Sequence, residues 1–155
     1  MDAILLAAGQ GKRFGGELRA GCKVLIEVGG ECLLDRHLDA LFDHGVTRLT
    51  VVVGFEAQRI EARLAACARG RAVETLENPR FREGSLYSLY LARDRLGAAE
   101  GCLVMDADVL YDPAMIGLLT GSAEPRALLF DGGFLDDEMR VGLRGGRAVM
   151  LGKKL

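Results

Sequence analysis

The sequence predicts an α/β protein, a mostly parallel sheet flanked by helices, followed by a C-terminal β-hairpin. Three observations predict it. Apolar runs of strand length alternate with segments whose apolar residues recur at helical spacing. The first run, Ala3 to Ala8, opens at once into glycines at positions 9, 11, 15 and 16. A later run, Gly101 to Met105, leads straight into Asp106-Ala107-Asp108. Ligands of open parallel sheets bind at such C-terminal strand ends.

Taken in order, Ala3–Ala8 reads as a buried strand, and Val24–Val28 as a short apolar segment broken by Gly29-Gly30. A helix is expected from Glu31 to His44, because Leu34, Leu38, Leu41 and Phe42 recur on one face, with Gly45 as its stop. His37 and His44 read as surface residues of that helix. Leu49–Val53 is a β-branched strand ended by Gly54. Ala57, Ile60 and Leu64 mark the inner face of a helix reaching Ala68, and Ala72–Leu76 is a third strand. Strand, helix, strand, helix, strand implies parallel pairing with right-handed crossovers. From Ser85, placed as an N-cap, Leu86, Leu89, Ala92 and Leu96 give another helical face. The Gly101–Met105 strand follows, then a short helix from Asp112-Pro113 to Leu119 and a strand candidate at Ala127–Phe130. Met139–Arg144 and Arg147–Leu151 flank Gly145-Gly146, a hairpin signal.

At 155 residues the chain has the size of one domain, residues 1–155, large enough for a core. Its net charge of −2, with no basic cluster, argues against a nucleic acid partner. The sequence shows no signal-peptide pattern and no apolar run of bilayer-spanning length, which predicts a cytoplasmic protein with no membrane partner. Four cysteines, Cys22, Cys32, Cys67 and Cys102, are widely spaced, and with two histidines they form no zinc pattern. Free thiols are expected.

A glycine loop after a strand exposes backbone N–H groups, a cradle for phosphate oxygens, and Arg13 and Lys23 add positive charge. The G-x-G-x-x-G spacing fails at Phe14, and G-x-x-x-x-G-K fails at Phe14-Gly15. Read only as local structure, the glycines are turn punctuation and Asp106 and Asp108 are Asx-turn residues. Read as chemistry, two carboxylates spaced by one residue on extended chain can face one cation, and Mg²⁺ takes few carboxylates beside substrate phosphates. Asp136-Asp137-Glu138 reads as a solvated acidic turn.

The pattern Leu6-Ala7-Ala8-Gly9-x-Gly11-x-Arg13, followed by Lys23, resembles the signature of nucleotidyltransferases that join an NTP to a phosphorylated acceptor. These include the sugar-phosphate, phosphocholine and related cytidylyl- and uridylyltransferases. The resemblance implies a Rossmann-like fold of the nucleotide-diphospho-sugar transferase type. It also implies that Gly9 and Gly11 wrap the triphosphate, Arg13 contacts its outer phosphates and Lys23 sits by the α-phosphate. Cys22 stands where such proteins commonly have proline. The stretch Asn78–Ala92 resembles their second signature, with Gly84 and Ser85 beneath the nucleobase. The end of the Gly101–Met105 strand resembles the third, which implies Asp108 as the Mg²⁺ ligand with Asp106 in support. Lys153, after the hairpin, matches a lysine that reaches a phosphate.

The implied reaction transfers NMP from an NTP, CTP favoured, to a phosphorylated small-molecule acceptor, releasing pyrophosphate. Two other readings stay open: an NDP-sugar-dependent glycosyltransferase, against which the Arg13–Lys23 pair counts, and a non-catalytic nucleotide-binding module. Proteins of the resembled type continue past such a hairpin, adding acceptor-pocket elements and a second metal-binding aspartate. The resemblance therefore implies a C-terminally incomplete domain that binds Mg-NTP weakly, turns over slowly or not at all, and forms a homodimer.

Overall fold

The structure is a computed structural model and describes residues 1–10, 21–96, 101–124, 127–128 and 140–152. It divides into two compact units, Met1–Thr120 and Gly121–Leu155.

The first unit is built on β1, Asp2–Leu6, whose DAILL sequence is buried almost throughout. After Gly21, a 3-10 turn at Lys23–Leu25 leads into β2, Glu27–Val28, which pairs antiparallel with β3, Glu31–Cys32. Helix α1, Leu33–Asp43, begins two residues later than the sequence suggested, because Glu31 and Cys32 are held in that small ladder. Next come β4, Arg48–Val53, α2, Ala57–Cys67, and β5, Val73–Glu77. A 3-10 turn at Phe81–Glu83 precedes α3, Ser85–Leu91, and the short α4, Arg93–Leu96. Strand β6, Cys102–Asp106, and helix α5, Pro113–Thr120, complete the unit.

The sheet order is β5-β4-β1-β6, and every pairing is parallel. The chain winds outward from β1 through β4 to β5, then crosses back to place β6 on the other side of β1. The strand order therefore reverses between β1 and β6, and that reversal opens a crevice at their C-terminal ends. The apolar alternation of β1 feeds both faces. Ala3, Leu5 and Ala7 pack with Leu34, Leu38 and Leu41 of α1, while Ile4 and Ala8 pack with Val52 and Ala92.

Three expectations are corrected. His37 is not at the surface: it is 2% exposed on the inner face of α1, and His44 is part-buried. Ser85 is not an N-cap. Gly84 occupies that position, at a φ of 110° and ψ of 170° open to glycine alone, and Ser85 is the first helical residue. The face read from Leu86, Leu89, Ala92 and Leu96 is buried only at Ala92 and partly at Leu89. Leu86 is 79% exposed, Ser88 and Ala92 are buried, and the helix breaks at Ala92. The four cysteines are free thiols, as expected.

In the second unit, β7, Arg140–Arg144, and β8, Arg147–Gly152, form the expected antiparallel hairpin. Gly145 and Gly146 both have positive φ, 57° and 75°, as a two-residue primed turn requires. Ala127 and Leu128 are not in a strand, and Leu129 and Phe130 lie outside the described residues. So do Gly11, Arg13, Asp136, Asp137, Glu138 and Lys153.

Candidate active site

The crevice between β1 and β6 is a cleft of about 350 Å³. One wall is the end of β1 and the start of the glycine-rich stretch: Leu6, Ala7, Ala8 and Gly9. The opposite wall is Asp106, Ala107 and Asp108. The 3-10 turn contributes Lys23 and Val24, and the start of α3 contributes Gly84, Ser85 and Ser88, with Phe81 beside them. Three stretches far apart in sequence, each marked by its own motif, thus meet at one place.

Backbone bonding fixes the carboxylate wall. The Ala107 N–H donates to the Leu6 carbonyl at 3.1 Å, extending the β1–β6 ladder past its last paired residue. The Ala107 carbonyl accepts from His37 Nε2 at 3.1 Å, so that nitrogen carries the proton. Burial pushes the His37 imidazole below its ordinary value, which favours the neutral ring. Its ring packs against Tyr111 at 5.8 Å. Held from both sides, the residues flanking Ala107 present their carboxylates to the cleft.

Across the cleft, Lys23 Nζ donates to Asp108 Oδ2 at 2.7 Å. The lysine side chain is 16% exposed and the aspartate 43%, so the pair sits where a ligand can reach it. Desolvation against the cleft wall, and then the charge of Asp108, push the Asp106 carboxyl above the usual carboxylate range. Among the described residues, no group of three His, Cys, Asp or Glu is placed to hold a metal ion. Asp106 and Asp108 are the carboxylates that line the cleft. Two such donors suit a divalent cation whose remaining positions are taken by phosphate oxygens and water, and not a closed protein cage.

Of the sequence-predicted site residues, Leu6, Ala7, Ala8, Gly9, Lys23, Gly84, Ser85, Asp106 and Asp108 all line this cleft. Asn78 does not. It is fully buried, donating from Nδ2 to Ser88 Oγ at 2.8 Å and accepting from the Arg80 N–H at 2.8 Å. Asn78 therefore supports the wall through Ser88. Gly11, Arg13 and Lys153 lie outside the described residues. Sequence reasoning missed Val24, Phe81, Ser88 and Ala107, which are ordinary core-type residues with no chemical signature. It also missed His37, although position 37 lies on the apolar face of α1. Cys22, beside Lys23, is 3% exposed, and burial pushes its thiol up, so it is an inert packing residue.

Gly9, Lys23, Asp106 and Asp108 meet at the switch point of a parallel sheet, where ligands of open α/β sheets bind. The chain belongs to the MobA-like NTP transferase domain family, whose pattern matches residues 3–130. Choline-phosphate cytidylyltransferase of Haemophilus influenzae is 32% identical over 113 residues, 72% of this chain and 46% of that protein. UTP–glucose-1-phosphate uridylyltransferase of Haloferax volcanii is 29% identical over 139 residues, 90% of this chain and 55% of that one. The inositol-1-phosphate CTP transferase of T. maritima has the same fold, with a TM-score of 0.76 at 24% identity, over 99% of this chain and 64% of that chain. The chain thus spans about half the length of the two sequence relatives.

Proposed function

We propose that the protein transfers a nucleotidyl group from an NTP to a phosphorylated small-molecule acceptor and releases pyrophosphate. The observation that carries this reading is the Lys23–Asp108 pair facing the Gly9 end of β1 across the β1–β6 crevice. CTP is the favoured donor, as the Haemophilus influenzae relative is a cytidylyltransferase; the Haloferax volcanii relative makes UTP the next to test.

An acceptor phosphate is already ionised at neutral pH, so the residues need supply neither a nucleophile nor a strong base. Its oxygen forms a bond to the α-phosphorus as the bond to the pyrophosphate oxygen breaks in line. Catalysis is then positioning and charge neutralisation. Gly9 lets backbone N–H groups approach the triphosphate, and Lys23 turns from Asp108 to the α-phosphate oxygens. Gly84 and Ser85 form the platform for the base, with Asn78 behind Ser88. Gly11, Arg13 and Lys153 are assigned to the phosphates by motif. Asp108, with Asp106 beside it, would hold Mg²⁺, which supplies charge neutralisation across the phosphates.

We treat residues 1–155 as one domain; the family match, over residues 3–130, runs past the division at residue 120. No helix among the described residues is long and apolar enough to cross a membrane, and we place the protein with its nucleotide in the cytoplasm. A homodimer is the proposed assembly. The hairpin leaves Leu143, Val149, Met150 and Leu151 each more than half exposed, surface that association would cover.

Pyrophosphate release measured across the four common NTPs, each with a panel of phosphorylated acceptors, tests the reading. Release is expected only where donor and acceptor are both present. Nucleotide binding with no release from any pair would replace it with a non-catalytic nucleotide-binding module.

A further inference from the structure

We propose that Glu56 is a positioning residue that fixes Lys23 through the backbone of Cys22; the catalytic part of this inference rests on the function proposed above. Glu56 stands at the start of α2 with a φ of 54° and ψ of 35°, the left-handed region. It is one of two non-glycine residues with positive φ among the described residues. A helix start favours Ser, Thr, Asp, Asn or Gly, and a left-handed backbone favours Gly or Asn. Glutamate suits neither preference. Its carboxylate makes no capping hydrogen bond to its own helix. A residue that breaks two local rules persists where its side chain is used elsewhere.

The use is visible. Glu56 Oε2 accepts the Cys22 N–H at 3.0 Å, 34 residues away in sequence, and accepts Arg59 Nη1 at 2.7 Å. One residue earlier, the Phe55 N–H donates to the Ala8 carbonyl at 3.1 Å. The turn after β4 thus holds the chain just before Gly9 and just before Lys23. The link to the ammonium group is short. The Cys22 carbonyl accepts the Leu25 N–H at 2.9 Å, closing the 3-10 turn that carries Lys23, and Lys23 reaches Asp108. Cys22 is buried, and among the described residues the Glu56 carboxylate is the acceptor its amide uses. Arg59 keeps the carboxylate aimed inward, since Glu56 is only 24% exposed while Arg59 is 59%.

Three variants test this. Glu56→Gly relieves the backbone and removes the acceptor. Glu56→Ala removes the acceptor and keeps the strain. Glu56→Gln keeps an acceptor oxygen. Amide hydrogen exchange at Cys22 and Leu25, read by NMR, should quicken in the Gly and Ala variants and stay protected in the Gln variant. Turnover should fall about ten- to a hundredfold in Gly and Ala, with KM for the NTP changing little, and the Gln variant should retain most of it. The unfolding midpoint of the Gly variant should lie above that of Ala, because relief of the left-handed backbone offsets part of the lost hydrogen bond. Unchanged exchange at Cys22 in Glu56→Gly would overturn the proposal. So would turnover lost only in step with folded protein, or a Gln variant as impaired as Gly. If the wild type released no pyrophosphate from any pair, the functional reading would fall, while the amide exchange would still decide whether Glu56 fixes the Lys23 turn.

Discussion

In the proposed reaction Lys23 works by where its charge is held. Its ammonium group is mostly enclosed and paired with Asp108, so in the nucleotide complex it must exchange one anion for another without leaving the cleft. Replacing it by alanine removes that charge without opening the apolar core. Lys23→Ala should lower turnover about a hundred- to a thousandfold, corresponding to roughly 3–4 kcal/mol of transition-state contact, with a small change in unfolding midpoint. Unimpaired turnover in a pyrophosphate assay would remove Lys23 from the mechanism. His37 gives a second prediction at this scale. Its folded-state value is depressed by burial, whereas the unfolded chain titrates near about 6.5. Above that pH both states are neutral and the stability is intact. As pH falls from there through the folded value, the unfolded chain takes up a proton that the folded chain refuses, and stability is lost. His37→Gln keeps an N–H for the Ala107 carbonyl but cannot titrate, so its denaturation midpoint should fall less between pH 7 and 5. Equal slopes would locate the acid sensitivity elsewhere. Lys23 stands out in the sequence by its place in the first motif, and Asp106 and Asp108 because they follow directly on a predicted strand; all three line the cleft. His37 was misread although it lies at i+3 from Leu34 and i−4 from Leu41, because its polar type outweighed its buried spacing.

At the scale of elements, the strand cores and α1 and α2 follow from periodicity, and the mismatches lie where tertiary contacts override it. Leu86 fits a helical face with Leu89, Ala92 and Leu96, yet α3 starts at the cleft mouth, so its first turn has no core to bury against. Glu31 and Cys32 follow the Gly29-Gly30 break, where a helix was expected to start, but they pair with β2 instead. Gly54 shows what sequence could not: it was read as the end of β4, and it is also a packing contact. A Cβ there would meet Phe81 Cβ at 2.7 Å, Ala8 Cβ at 3.0 Å and the Ala8 carbonyl at 3.1 Å. None of these is the free end of a flexible side chain. Gly54→Ala should therefore push β4 away from the end of β1, destabilising the fold by about 1–3 kcal/mol. For a chain of this size that lowers the unfolding midpoint by about 2–4 °C per kcal/mol. Activity should fall as well, since Phe81 and Ala8 both line the cleft. A variant that melts with the wild type would show that the turn can yield.

For the whole molecule, strand alternation foretold a parallel sheet, but not the side of β1 on which β6 would lie. That choice creates the crevice, because it brings Asp106 and Asp108 opposite Gly9 and Lys23. Every described residue lining the cleft lies in Met1–Thr120, which also holds the described buried core. Ligand binding to the cleft should therefore stabilise the unit on which folding depends. A ligand that binds only the folded state, present at a hundred times its Kd, adds about 2.7 kcal/mol. For this chain that is a rise of about 5–10 °C in the unfolding midpoint. CTP with Mg²⁺ should produce such a rise, and CTP with a chelator a smaller one, since two crowded carboxylates then face the phosphates without a cation between them. Asp108→Asn should abolish the difference between the two conditions, each read against that variant's own ligand-free midpoint. Asp106→Asn should reduce the difference less, because desolvation already weakens its hold on charge. The order is open to a direct check by thermal unfolding of the three proteins with and without chelator. If Asp106→Asn erased the metal increment and Asp108→Asn kept it, Asp106 would be the principal ligand, and Asp108 would serve only to hold Lys23.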